Sequence, residues 1–143
     1  MARLIRRSNL MVPVTDAALL ASAWRHDADA ITLDLEDGVP DTHKAEARAR
    51  VKNAIAPAAQ GGAEIFVRVN QPFLHADLHA AVWPGLRGIM LPQIDAAADI
   101  EQAEQIVSAL ERERGIVAGT LEFIVLLENA AAVWNVRALL TAS

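Results

Sequence analysis

The stretch Ile31-Thr32-Leu33-Asp34-Leu35-Glu36-Asp37-Gly38-Val39-Pro40 alternates apolar and polar side chains before it breaks. Ile31, Leu33 and Leu35 fall on one side and Thr32, Asp34 and Glu36 on the other, which is the period-2 pattern of a strand. Gly38 and Pro40 end it, and Asp41 or Thr42 is placed to cap a helix that follows. The strand therefore delivers carboxylates to a strand-to-helix junction, the place where α/β folds build their sites.

The same alternation of strand and helix runs outward in both directions. Upstream, residues 8–12 form a short apolar run stopped by Pro13, and Thr15 or Asp16 can cap a helix with Ala17, Leu20, Ala21 and Trp24 inward. The helix after Asp41 turns Ala47, Val51, Ala54 and Ile55 inward and leaves Lys44, Arg48, Arg50 and Lys52 to solvent. Ile65, Val67 and Val69 then alternate with Phe66, Arg68 and Asn70 in a third strand. A short helix over 76–82 and a strand over 88–91 follow. The clearest helix starts at Asp95 or Asp99, with Ile100, Ala103, Ile106, Val107 and Leu110 inward and Glu101, Glu104, Glu111 and Arg112 outward. Residues 123–127 read as an apolar strand ending at Glu128, and 130–140 as a last helix.

Composition bounds what such a chain can do. At 143 residues it suits one domain with a real core, and 53% hydrophobic against 22% charged residues excludes a disordered or coiled-coil chain. The net charge of −5 supplies no basic track for a phosphate backbone, so no nucleic-acid partner is expected. Without cysteine there is no disulfide, thiolate metal site or cysteine nucleophile. No run approaches the roughly 18 apolar residues of a membrane span, and the basic start Met1 to Arg7 lacks the apolar run of a signal peptide. The expectation is a cytoplasmic protein. His26, His43, His75 and His79 read as surface residues, and Trp24, Trp83 and Trp134 as packing residues.

Five strand–helix alternations without a hairpin signal imply a parallel sheet covered by helices. Length favours a complete doubly wound sheet over the first five units of an eight-stranded barrel, which needs about 250 residues. The polar residues favour the barrel: Asp34 and Glu36, Arg68 and Asn70, and Glu128 all fall on the face opposite the regularly apolar one. A doubly wound sheet buries both faces, whereas a barrel has a polar mouth to receive them. The usual doubly wound sites are also missing: Pro13-Val14-Thr15-Asp16 has no glycine for a phosphate loop, and Val12-Pro13-Val14 and Glu128-Asn129 supply neither the acidic residues nor the lysine of a phosphoacceptor pocket. On pattern alone, Asp34, Glu36 and Arg68 also describe a purely structural salt-bridge network.

Taken together, Arg7-Ser8 through Val12-Pro13, Leu33-Asp34-Leu35-Glu36-Asp37-Gly38-Val39 with Lys44 and Ala47-Arg48, Val67-Arg68-Val69-Asn70, Leu91-Pro92-Gln93 and Leu127-Glu128-Asn129 resemble the aldolase/citrate lyase family. The likeness is to its citrate lyase beta-subunit-like branch, with malyl-CoA and citramalyl-CoA lyases. It departs at Val14, Gln93 and Asn129, where the family commonly has Gly, Lys and Thr.

The resemblance implies a (β/α)8 TIM barrel, of which residues 1–143 would be the N-terminal part with about five βα units. It implies a Mg²⁺-dependent carbon–carbon lyase acting on a small hydroxyacyl-CoA or oxoacid, with a homo-oligomeric assembly. Glu128 corresponds to a metal-binding carboxylate and Arg68 to the arginine that grips substrate oxygens, so these two are the expected catalytic and substrate-binding residues. Asp34, Glu36 and Asp37 are expected to support them. The second metal carboxylate is expected beyond Ser143, which makes the isolated chain inactive. The alternative is a non-catalytic half-barrel that assembles with another chain through its open edges.

Overall fold

The computed structural model describes residues 5–142, so the start of the basic run before Ile5 lies outside the described residues. Strands β1 (Asn9–Pro13), β2 (Ala30–Asp34), β3 (Glu64–Arg68), β4 (Gly88–Leu91) and β5 (Glu122–Val125) form one parallel sheet in sequence order. Helices α1 (Ala17–Ser22), α2 (Lys44–Ala58), α3 (Leu74–Ala81) and α4 (Ala97–Glu113) connect them, and α5 (Ala130–Trp134) and α6 (Val136–Leu139) follow β5.

Strand order decides between the two architectures. A doubly wound sheet reverses its direction of growth once, at the point where its ligand binds. Here every strand pairs with the one before it, so there is no reversal. Parallel crossovers are almost always right-handed, and connections that all step the same way put every helix on the same face. The chain is therefore an incomplete (β/α)8 barrel. The preference that length gave to the doubly wound sheet fails because length limits the number of strands and says nothing of their order.

The register lines up side chains in rows across the sheet. Val12, Leu33, Val67, Ile89 and Phe123 are successive partners facing the helices. They meet Ala47, Val51 and Ile55 of α2, Leu78 of α3, and Ile100, Ala103 and Leu110 of α4 in one continuous core. The next row, Pro13, Asp34, Arg68, Met90 and Ile124, faces the opposite way. At the other end of the strands Arg6 and Arg87 each pair with both Glu64 and Glu122, which neutralises that end of the sheet.

Several expectations change. The α1 stripe is not a buried one: none of its residues is buried, and Asp16 caps it through the Leu19 N–H at 2.9 Å. No side chain caps α2, which is entered through a 3-10 turn over Asp41–His43. Its basic residues are not all solvated, since Lys44 is buried and Arg48 pairs with the buried Asp77 at 3.1 Å. Glu111 points inward, 1% exposed, because its carboxylate accepts the backbone N–H groups of Gly119 and Leu121. The last helix is broken at Asn135 into α5 and α6, and Trp134 is 89% exposed rather than packed. β5 ends at Val125, two residues short of the expected limit, and is only half-buried along its length. Among the described residues no helix is long and apolar enough to cross a membrane.

Candidate functional site

The site grows from the register pair Asp34–Arg68 at the C-terminal ends of β2 and β3. Paired residues on adjacent parallel strands point the same way, so a carboxylate and a guanidinium are brought side by side by backbone geometry alone. Arg68 Nε donates to Asp34 Oδ1 and Nη2 to Oδ2, both at 2.8 Å, the forked arrangement that fixes both planes. Asp34 also accepts the backbone N–H of Glu36 at 2.9 Å and of Gly38 at 2.8 Å. Position 38 needs glycine for this approach: a Cβ there would lie 2.6 Å from Asp34 Oδ2 and 2.8 Å from Pro13 Cγ.

Two more carboxylates complete the collar. Arg68 Nη1 lies 2.8 Å from Glu36 Oε2 as a charge contact and donates to Asp37 Oδ2 at 3.3 Å. A guanidinium carries five N–H donors, and the hydrogen bonds to Asp34 and Asp37 commit Nε, one on Nη2 and one on Nη1. Gln93, in the left-handed region at φ +54°, donates to the other Glu36 oxygen at 3.3 Å.

The carboxylates differ electrostatically. Burial disfavours the Asp34 anion, but the Arg68 hydrogen bonds and the two backbone N–H groups outweigh it and hold its pKa below the usual range. For Glu36 burial dominates, Arg68 opposes it only in part, and the charges of Asp37, Glu128 and Asp34 push the same way as burial, so its pKa is raised. The Arg68 pKa is raised, chiefly by its hydrogen bond to Asp34. The collar thus sets three carboxylates around one guanidinium.

The structure brings Asp34, Glu36, Asp37 and Arg68 into direct contact. Glu128 lies beyond the end of β5, exposed, near enough for its charge to act on Glu36 but with no ion pair among the described residues. Among the described residues no three His, Cys, Asp or Glu side chains converge on a metal position. The donors at hand are hard carboxylate oxygens, which suit Mg²⁺ rather than a softer metal, and Mg²⁺ is ordinarily held by one or two carboxylates with water and substrate oxygens. Val14 is a core residue and Asn129 caps α5 through the Ala132 N–H at 2.8 Å, which accounts for two of the three departures from the family pattern.

Sequence reasoning missed the framework behind the collar. Lys44 Nζ donates to the carbonyls of Leu35 and Glu36 at 2.9 and 2.5 Å. Asn70 Nδ2 donates to Leu35 O, also at 2.7 Å to Asp77 Oδ2, and Asp77 is fully buried. Helical spacing could have flagged it, since Asp77 stands three residues after the buried Leu74 and four before the buried Ala81 and so shares their inward arc. A cleft of about 420 Å³ opens beside the collar, lined by Glu36, Asp37, Lys44, Asn70 and Gln93 among others.

Comparison with known proteins agrees with this geometry. Residues 7–143 match the family model described as HpcH/HpaI aldolase/citrate lyase. The chain is 33% identical over 142 residues to the citrate lyase subunit beta of Leuconostoc mesenteroides subsp. cremoris, covering 97% of this chain and 47% of that protein. It is 34% identical over 143 residues to an L-malyl-CoA/beta-methylmalyl-CoA lyase of Cereibacter sphaeroides, covering 96% and 45%. A solved citrate lyase beta subunit of M. tuberculosis, complexed with oxaloacetate and magnesium, superposes with a TM-score of 0.64 at 25% identity, covering 94% of this chain and 53% of that one. The chain thus spans about half the length of the curated relatives it matches. The fold, the motif order and the family match lead to one conclusion: the chain belongs to the HpcH/HpaI aldolase/citrate lyase family.

Proposed function

We propose that the chain supplies the first five units, the substrate-gripping arginine and one metal carboxylate of a Mg²⁺-dependent carbon–carbon lyase acting on a small hydroxyacyl-CoA or oxoacid. The observation that carries this reading is the fixed Arg68 guanidinium, forked onto Asp34 with N–H donors to spare, at the end of the sheet where barrel enzymes place their chemistry. Relatives named citrate lyase subunit beta and malyl-CoA lyase, and a neighbour complexed with oxaloacetate and magnesium, support the substrate class and the ion.

In this reading Arg68 binds the substrate's carboxylate or carbonyl oxygens with the donors that Asp34 and Asp37 leave free. Aldol or Claisen-type cleavage leaves an enolate, and a guanidinium that is already oriented stabilises the developing negative charge without reorganising. Asp34, Glu36 and Asp37 hold Arg68 in place. Glu128 would hold Mg²⁺, which supplies Lewis-acid stabilisation of the same charge when bound. A single carboxylate holds Mg²⁺ weakly, so the isolated chain is expected to be inactive.

Calorimetric titration of Mg²⁺ in the presence of oxaloacetate tests this. Glu128→Gln should weaken the ion by about tenfold, and Arg68→Ala should weaken oxaloacetate by about tenfold while the far-ultraviolet circular dichroism is retained. Equal Mg²⁺ binding by wild type and Glu128→Gln overturns the metal assignment.

A second reading, a non-catalytic half-barrel that assembles with another chain or with itself, is favoured by one observation. β1 and β5 each have a single strand partner among the described residues, and Leu127, Val133, Trp134 and Leu140 beside β5 are exposed. A stable, soluble monomer in size-exclusion chromatography with light scattering argues against it.

A further inference from the structure

Lys44 is an unusual residue for a solvent-facing helix turn: it is 7% exposed, and among the described residues its ammonium reaches no carboxylate but the carbonyls of Leu35 and Glu36. A cation placed so costs desolvation that only well-formed hydrogen bonds offset. Those two carbonyls belong to the backbone between Asp34, which forks onto Arg68, and Asp37, which receives Arg68 Nη1. β2 ends at Asp34, so these carbonyls lie past the end of the strand. Leu35 O is held a second time by Asn70 Nδ2 at 2.7 Å.

Resting on the reading that Arg68 grips the substrate, we infer that Lys44 is a positioning residue for it, acting from the first turn of α2 through the Leu35 and Glu36 carbonyls. The path is short. Lys44 fixes the direction of Leu35 O; the N–H of that same peptide group is Glu36's, and it is bonded to Asp34 Oδ1, the oxygen that takes Arg68 Nε. The Glu36 side chain leaving the same Cα sets the charge contact on Nη1. Lys44 also lines the cleft beside the collar, yet its donors face the backbone, so its contribution to a ligand there is through Arg68 rather than by direct contact. This gives a reason for a lysine at this position that the helical pattern alone does not.

The test uses the 143-residue chain, with Lys44→Met to remove the ammonium at similar length and Lys44→Arg to keep a cation. Two readouts are followed: solvent exchange of the Arg68 Nε–H by ¹⁵N NMR in the ligand-free protein, and oxaloacetate affinity by calorimetry. Lys44→Met should speed Nε–H exchange by about tenfold or more while backbone amides in β3 and β4 keep their protection. It should weaken oxaloacetate by about tenfold, and Lys44→Arg should restore much of both. Wild-type Nε–H exchange in Lys44→Met overturns the inference. If Lys44→Met does not fold, Lys44→Gln, which removes the charge and shortens the reach to both carbonyls, takes its place, and wild-type Nε–H exchange in it overturns the inference equally. Absence of oxaloacetate binding by the wild-type chain would count against the proposed function, whereas the exchange readout judges Lys44 by itself.

Discussion

Asp34 and Arg68 are partners in the β2–β3 register and are joined by two hydrogen bonds of 2.8 Å. The pair is set by the sheet and then enclosed, with side-chain exposures of 3% and 14%. Its energetics follow from that enclosure. A buried pair gains little over an apolar substitute of the same shape, but losing one partner strands the other in a poorly solvated place.

Asp34→Asn should therefore destabilise the chain by about 3 kcal/mol, read from urea unfolding at pH 7. Combining it with Arg68→Met should recover part of the loss, because the stranded guanidinium is then gone. Additive losses in the double variant would mean that the two side chains do not share one energetic unit.

Glu36 carries the opposite sign. Its pKa is raised in the folded chain, first by burial. Between the ordinary glutamate value and the raised one, the folded state holds more protons than the unfolded state, so stability falls as pH rises through that window. Asp34, with its pKa depressed, contributes stability that is present above the ordinary aspartate value and lost as pH falls through the folded one. Glu36→Gln should be at least as stable as wild type at pH 7 and show a flatter profile between pH 4 and 7, in urea titrations at about four pH values. A loss at pH 7 as large as that of Asp34→Asn would contradict the balance of charges derived for Glu36.

Much of this architecture is legible in the chain because strand pleat is local. Asp34, Glu36, Arg68 and Asn70 fall on one face by counting alone, and the helix stripes of α2 and α4 follow from their spacing. Strand order is a different matter, since five alternating units fit either a reversing or a non-reversing sheet. The framework residues are hidden for a further reason. Lys44, Arg48 and Glu111 occupy helix positions that look solvated, and they are buried because backbone carbonyls, Asp77 and loop N–H groups from distant segments meet them. Helical spacing records which way a residue points, but not what arrives from elsewhere to cover it. Trp134 fails the other way, since among the described residues no element covers this apolar side chain, which stays 89% exposed.

At the opposite end of the sheet, Asp29 ties the segment before β1 to β2. It accepts the backbone N–H groups of Arg7 and Ser8 at 2.8 and 3.0 Å and the Ser8 hydroxyl at 3.0 Å. The Arg7 backbone N–H, followed by its side chain and the Ser8 hydroxyl, lowers the Asp29 pKa from 3.8 to about 2. A depressed carboxylate stabilises above its unfolded value and loses that contribution as pH falls through the folded one. Amide exchange at Arg7 and Ser8 should therefore rise as pH is lowered from 3.8 to about 2, after correction for intrinsic rates, and Asp29→Asn should remove that dependence. Protection at these two amides that stays constant across the window would show that Asp29 does not hold the segment.

Glu111 gives the clearest test of a loop held from within a helix. Its Oε2 accepts the Gly119 N–H at 2.8 Å and its Oε1 the Leu121 N–H at 3.1 Å, bridging the end of α4 to the start of β5. Gly119 sits at φ +71°, in the left-handed region, and the Glu111 side chain that takes its N–H is buried. Glu111→Ala leaves two backbone donors without an acceptor, at a cost of about 1–3 kcal/mol. Glu111→Gln keeps an acceptor on one oxygen and turns an amide toward the other N–H, so it should lose stability as well, though less than Glu111→Ala. Urea unfolding ranks the two variants, and amide exchange at Gly119 and Leu121 locates the change. Because β5 has only β4 beside it, the loosened loop should raise exchange along β5 while leaving β2 and β3 protected. Equal exchange across all the strands would mean instead that Glu111 acts on the whole sheet rather than on its β5 edge.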